Sequence, residues 1–199
     1  MGNPNEYRLL KGYLSKARVP AGRVLNCGVA HGDNMPYADL FPGRQLVGID
    51  IEAGPGVIVC DIEGDCSTLA GERFAMVLCC SVLEHTRRPW VVAQNLERLV
   101  APGGVLYVTV PWAWRVHRYP IDFWRMNVEG LQSLFSPSIS WERCAYITQT
   151  VGEILGVADE DHDRRGSYNG DIFIRTQMAC VIGRASGSTP NSGLAAGSS

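Results

Sequence analysis

Val24-Leu25-Asn26-Cys27-Gly28-Val29-Ala30-His31-Gly32 decides the fold of this chain. An apolar run turns sharply through small residues, which reads as a strand over 23–27 passing through a glycine loop into a helix over 33–41. Gly28 and Gly32 lack a Cβ, so the main chain can take unusual dihedrals there and a ligand can approach it closely. Asp33 can cap the helix that follows, with Pro36 in its first turn. A second apolar run, Leu46-Val47-Gly48-Ile49-Asp50, ends about 20 residues further on in a carboxylate, the place where an acid meets ribose hydroxyls.

Two ligands compete for such a unit, a nicotinamide dinucleotide and S-adenosylmethionine. The dinucleotide fingerprint needs glycines at 28, 30 and 33, and the chain has Ala30 and Asp33. A carboxylate at 33 would also stand where a pyrophosphate wants the positive end of a helix. The spacing Gly28-x-Ala30-x-Gly32 instead resembles the glycine loop of class I S-adenosylmethionine-dependent methyltransferases, with alanine in its middle position.

The resemblance continues in order along the chain. Val57-Ile58-Val59-Cys60-Asp61-Ile62-Glu63 resembles the third strand and acidic loop of that superfamily. Phe74 to His85 resembles its fourth strand with the Leu83-Glu84-His85 segment of the small-molecule and glycan-type branch, and Leu99-Val100-Ala101-Pro102-Gly103-Gly104-Val105-Leu106 its turn into strand five. The match covers about Arg23 to Val110 and is to a superfamily, not to one enzyme. It departs at Asn26, where an acid is usual, and at Ala75, where Asp is common; loss of the first carboxylate implies weaker hold on the methionine ammonium.

Composition agrees with one α/β domain. The chain has 199 residues, 46% hydrophobic and 19% charged, enough for a sizeable core. Its polar start and the lack of a long apolar stretch lead us to expect a cytoplasmic protein with no signal peptide and no membrane partner. A net charge of −2 gives no global attraction for nucleic acid. Seven scattered cysteines without a C-x-x-C pair read as buried reduced thiols. Helical spacing of Tyr7, Leu10, Tyr13 and Leu14 predicts a lead-in helix over 5–17. Strands are expected near 45–50, 57–60, 74–79 and 104–110, a helix over 89–100, and a further helix capped by Asn127. This alternation predicts a Rossmann-like, doubly wound, mostly parallel sheet with helices on both faces. Ile139–Thr148 and Asp171–Ile182 complete seven strands, and the resemblance implies that they form a C-terminal antiparallel hairpin. The domain is expected over 1–184, and the Gly/Ser/Pro-rich 185–199 as a disordered tail.

Open parallel sheets bind ligands outside the carboxyl ends of their strands where strand order reverses. The resemblance therefore implies a cofactor site of Asn26, Gly28, Ala30, Gly32, Asp50, Ile51, Asp61, Ile62 and Ser81, for S-adenosyl-L-methionine and its product S-adenosyl-L-homocysteine. Asp50 would bind ribose hydroxyls, and Asp61 the adenine amino group with the Ile62 N–H toward the ring; the alternative for Asp61 is a turn-forming or helix-capping residue. Methyl transfer needs the nucleophile, methyl and sulfur held in line, and requires neither a metal nor a covalent intermediate, so no metal site is expected. If the acceptor carries a proton, His117 and His85 are the candidate bases, His85 alternatively being a packing residue. Pro111 to Arg125 holds five aromatic residues and three arginines after strand five. Trp112, Trp114, Arg115, Arg118, Tyr119, Asp122 and Trp124 are candidate acceptor contacts, or else parts of a packed lid. Arg87-Arg88 and the Asp159–Asp163 run are solvated surface in the simplest reading. The expected activity is methyl transfer to an O or N atom of a small-molecule or glycan-type acceptor. A weakly catalytic binding scaffold and an RNA methyltransferase are the alternatives. Neither the acceptor nor the oligomeric state is legible.

Overall fold

The computed structural model describes residues 4–29, 37–118, 121–148, 154–156 and 176–187. Helix α1 (Pro4–Leu14) leads into strands β1 (Val24–Cys27), β2 (Leu46–Asp50), β3 (Val57–Val59) and β4 (Phe74–Cys80). Then follow helix α2 (Pro89–Leu99), β5 (Val100–Pro111), α3 (Val128–Gln132), β6 (Ile139–Thr148), β7 (Ile154–Gly156) and β8 (Thr176–Ala185). The sheet order is β3-β2-β1-β4-β5-β8-β6-β7. β1 to β5 pair in parallel, whereas β8 runs antiparallel to both β5 and β6. The expected seven-stranded, mostly parallel sheet with its antiparallel hairpin is therefore present. One correction is needed: β7, only three residues long, adds an eighth strand antiparallel to β6 at the edge.

The central strands are continuous apolar runs because both faces are covered. β5 shows the alternation: Val105 and Tyr107 pack on the α1 side with Leu9 and Leu10. Leu106 and Val108 pack on the other side with Val92, Leu96 and Leu99 of α2 and Val128 and Leu131 of α3. Pro89 begins α2, where its missing N–H costs nothing, and the Asn127 side chain accepts from the Gly130 amide at 2.9 Å to cap α3. All seven cysteines are free, five of them buried.

Several boundaries move from their sequence expectations. α1 ends at Leu14, short of residue 17. β5 begins at Val100, its pairing with β4 shifting between Phe74 and Met76. There a Cβ on Gly104 would meet the Ala101 carbonyl at 2.7 Å and the Ala75 carbonyl at 3.1 Å, so glycine admits this close backbone approach. The helix expected over 33–41 is described only from residue 37, as a single 3-10 turn at Ala38–Leu40. Of the strand expected over 171–182, residues 171–175 lie outside the described residues. β8 runs to Ala185, which pairs with Ile139, and the Ser186 amide donates to the Ser138 carbonyl at 2.9 Å. The folded unit thus passes the expected boundary at 184, and the rest of the 185–199 segment from residue 188 lies outside the described residues. Arg184 closes this corner, donating to both Glu142 oxygens and, at 2.9 Å, to the Gly103 carbonyl.

Candidate active site

The chain runs from β1 outward to β2 and β3, then returns to β4 on the other side of β1, so strand order reverses between β1 and β4. That is where an open sheet leaves a crevice at its carboxyl ends. Gly28 leaves β1 with φ +73°, its amide donating to the Ile49 carbonyl of β2 at 2.9 Å. A Cβ at this position would stand 2.4 Å from Cγ2 of Val82, in the loop after β4. Only glycine lets these two loops meet. Ala30, His31, Gly32, Asp33 and Pro36 lie outside the described residues. Asn26 is buried within β1.

The two candidate acids share one local device. Oδ1 of Asp50 accepts from the Glu52 amide at 3.1 Å, and Oδ1 of Asp61 from the Glu63 amide at 2.9 Å. Each carboxylate turns the chain at the carboxyl end of its strand. Between them Ile51 is 59% exposed, an apolar face turned to solvent beside the crevice. The loop carrying Asp61 and Ile62 is held from below. The buried Asn95 side chain of α2 donates to the Ile62 carbonyl at 2.7 Å and to the Gly64 carbonyl at 2.9 Å. Glu63 accepts from the Arg87 amide and from Nε of Arg88 at 2.8 and 2.9 Å. Burial works against the charge on Glu63, but those hydrogen bonds outweigh it and hold its carboxyl below the ordinary value. Arg88 is thus a loop fastener, and Asn95 and Glu63 are site-shaping residues that the sequence reading passed over.

Ser81 follows β4 with φ +55°, and its amide donates to the Thr109 carbonyl at 3.0 Å. Leu83–His85 then forms a single 3-10 turn. The aromatic and arginine-rich segment folds over this turn, the Phe123 amide donating to the Glu84 carbonyl at 2.7 Å and Nε1 of Trp124 to the Thr86 carbonyl at 2.8 Å. Arg125 shapes the segment from inside. It forms a two-pronged pair with Asp122 at 2.5 and 2.6 Å and donates to the carbonyls of Trp114, Arg115 and Trp124. These hydrogen bonds hold the Asp122 carboxyl well below the usual carboxylate range despite its burial. Asp122, with Trp124 packed edge-on to Trp90 and Trp112 against Tyr146, therefore sits within the scaffold of the segment. Trp114, Arg115 and Arg118 stay on its outer side, exposed, while Tyr119 lies outside the described residues.

This fold brings His85 and His117 together, their ring centroids 4.9 Å apart in an edge-to-face arrangement. Nδ1 of His85 lies 2.7 Å from the Ile121 carbonyl. Nδ1 of His117 lies 3.2 Å from Oδ2 of Asp122, within ion-pair distance though not aligned as a hydrogen bond. Asp122 also accepts from the His117 amide at 2.9 Å. Glu84 completes the group. Its side chain is fully buried, neither oxygen has a hydrogen-bond partner, and Oε1 lies 3.7 Å from Nε2 of His85. Burial above all, with Glu6 and Asp122 nearby, raises its carboxyl to about 8. Leaving a buried polar group unpaired costs on the order of 1–3 kcal/mol, more when charged. The sequence reading gave the two histidines a role, but none to Glu84 or to the buried Glu6, which accepts from the Thr109 hydroxyl at 2.6 Å.

The strand order, the glycine turn at the β1–β4 reversal and the acids ending β2 and β3 define an α/β fold of the class I S-adenosylmethionine-dependent methyltransferases. The chain belongs to the methyltransferase domain family, whose model matches residues 3–144. No curated protein matches it. Among solved structures it is similar to the N-methyltransferase NodS from Bradyrhizobium japonicum WM9 in complex with S-adenosyl-L-homocysteine. The two are 16% identical, with 91% of this chain and 85% of the other covered and a TM-score of 0.59. It is also similar to the Burkholderia thailandensis 1,6-didemethyltoxoflavin-N1-methyltransferase, at 13% identity, 92% and 77% coverage and a TM-score of 0.60. A carbon methyltransferase, CurJ, is 16% identical over 93% of this chain and 54% of its own, with a TM-score of 0.58. One fold thus serves both nitrogen and carbon acceptors in these relatives. No described helix is long and apolar enough to cross a membrane.

Proposed function

We propose that this chain methylates an O or N atom of a small-molecule or glycan-type acceptor, with S-adenosyl-L-methionine as donor. The observation that carries the reading is the meeting of the His85–His117 pair, ring centroids 4.9 Å apart, with the carboxyl end of β4, whose loop abuts Gly28. The residues present fit the cofactor: Gly28 leaves the space a Cβ would fill, Asp50 and Asp61 end their strands as acceptors, and Ile51 offers an exposed apolar face. Asp50 would hold the ribose hydroxyls, Asp61 and the Ile62 amide the adenine, and Asn26, Gly28 and Ser81 the methionine end, with Ala30 and Gly32 completing the loop. When bound, the donor supplies an electrophilic methyl group on a sulfonium that is itself a good leaving group. The rest of the task falls to the chain, which must orient the acceptor and receive its proton. His117 and His85 take the second role. Trp114, Arg115 and Arg118 take the first, with aromatic and guanidinium surfaces suited to a ring or sugar and to an anionic group.

The test is calorimetry of the purified protein with S-adenosyl-L-homocysteine, followed by an acceptor screen read by its release from S-adenosyl-L-methionine. Saturable binding and acceptor-dependent release are expected. Absence of binding would overturn the reading. The buried Asn26, in place of an acid, favours a second reading as a binding scaffold, which predicts binding with no turnover on any acceptor.

A further inference from the structure

We propose that Glu84, His85 and His117 form a binding site for one divalent first-row transition ion, with zinc as the reference case. One ligand atom from each of the three lies within 4.8 Å of the others. Two bonded ligands about 2.1 Å from a tetrahedral ion stand roughly 3.4 Å apart. The 3.7 Å between Nε2 of His85 and Oε1 of Glu84 is already near that spacing.

The surroundings prepare all three groups to be ligands. A carbonyl oxygen only accepts, so the Ile121 carbonyl at 2.7 Å places the proton of a neutral His85 on Nδ1 and leaves Nε2 as a lone pair. Asp122, kept ionised by Arg125, stands 3.2 Å from Nδ1 of His117, a carboxylate within ion-pair distance of that ring. A carbonyl or carboxylate behind each histidine is the support that metal-binding imidazoles require. Glu84 is fully buried with both oxygens unpartnered, and its Oε1 lies 3.7 Å from Nε2 of His85.

Charge favours the same occupant. Asp122 and Glu6 lie close to Glu84, and Arg125, a cation beside it, is bound to Asp122. Two imidazoles with one carboxylate select zinc, manganese, iron or cobalt over magnesium and calcium, which prefer oxygen alone. Three protein ligands leave a position open. The His85 and His117 side chains are 17% and 27% exposed, so that position faces solvent, where an acceptor hydroxyl or amine can fill it. Ion binding stands on these residues alone; only the role toward an acceptor rests on the methyltransferase reading.

The experiment is titration of the chelator-treated full chain with zinc by calorimetry, and with cobalt(II) by its visible absorption. One ion per chain is expected, with the ring-nitrogen resonances of His85 and His117 shifting together on zinc addition. His117→Ala and Glu84→Gln should each weaken binding by at least ~10-fold, and Asp122→Asn by about 10-fold through the lost support. The resonance shift uses the unaltered chain, so it decides the matter even if a variant fails to fold. No saturable uptake, or zinc uptake that leaves both histidine resonances unmoved, overturns the proposal. S-adenosyl-L-homocysteine binding on the same sample separates the two claims: binding of that ligand without zinc uptake sinks the ion site alone, and the reverse sinks the cofactor assignment alone.

Discussion

Gly28→Ala tests whether the glycine loop and the loop after β4 truly share one space. Two penalties are separable. At φ +73° an L-residue pays about 1–2 kcal/mol for the left-handed conformation. The new methyl would also stand 2.4 Å from Cγ2 of Val82, where carbon atoms normally rest about 3.5–4.0 Å apart. Something must move by roughly 1 Å, and a valine stiff at χ1 cannot simply swing away, so overpacking adds about 1–3 kcal/mol. The sum, ~2–5 kcal/mol, is a large part of the stability of a domain this size. Val82→Ala removes Cγ2 and with it only the second penalty. A double-mutant cycle by urea denaturation should therefore return a favourable coupling of about 1–3 kcal/mol, with the dihedral cost persisting in the double variant. Affinity for S-adenosyl-L-homocysteine should fall in Gly28→Ala and partly recover in the double variant. A single variant within ~0.5 kcal/mol of wild type, or a cycle with no coupling, would refute the contact and the crevice built on it.

Asp50→Ala should weaken S-adenosyl-L-homocysteine binding about 10- to 100-fold by calorimetry, the worth of a charged hydrogen-bond acceptor at ~1.5–3 kcal/mol, and Asp61→Ala should cost less; a larger loss at 61 would reverse their ranking. Asn95→Ala leaves the Ile62 carbonyl without its buried donor, so urea denaturation should report a loss of about 1–3 kcal/mol, and a neutral result would show that the loop is held by other contacts. The hydrogen bond from Arg184 holds the Glu142 carboxyl below its ordinary value, so its contribution is complete above the unfolded value near 4.5 and disappears as pH falls through the folded value. Glu142→Gln should therefore be less stable than wild type by ~0.5–1 kcal/mol at neutral pH, with the gap closing in acid; a gap that persists at pH ~3 would assign the effect to packing.

The parts of this protein that could be read from residues are those in which chemistry and position along the chain coincide. β1, β2 and β4 announce themselves because a strand buried on both faces must be apolar throughout, and Asp50 stands out because an acid ending such a run has to face water or a partner. β7 gives no such signal, since three residues are too few to show a period. Asn95 lies on the buried side of an otherwise apolar helix face, where spacing cannot reveal that its amide reaches a loop 33 residues away. Glu6 similarly meets Thr109 across 103 positions.

Glu84 shows most clearly why the rest was hidden. In the sequence it is one charge between a leucine and a histidine, read only as part of a family-like segment and given no role. Its burial goes with the placement of residues 112–118 and 121–125, which Arg125 holds by gripping Asp122 and three carbonyls of its own segment. The same grip pulls His117 toward His85 and places the Phe123 amide on the Glu84 carbonyl. An arginine to which the sequence reading gave no role is thus the residue that shapes this segment, acting through the path of the chain. Arg125→Lys keeps the charge but loses the fork and most of the carbonyl contacts. It should therefore separate the two histidine rings, as read by loss of their mutual ring-current shift, while leaving the loops that carry Asp50 and Asp61 as they are.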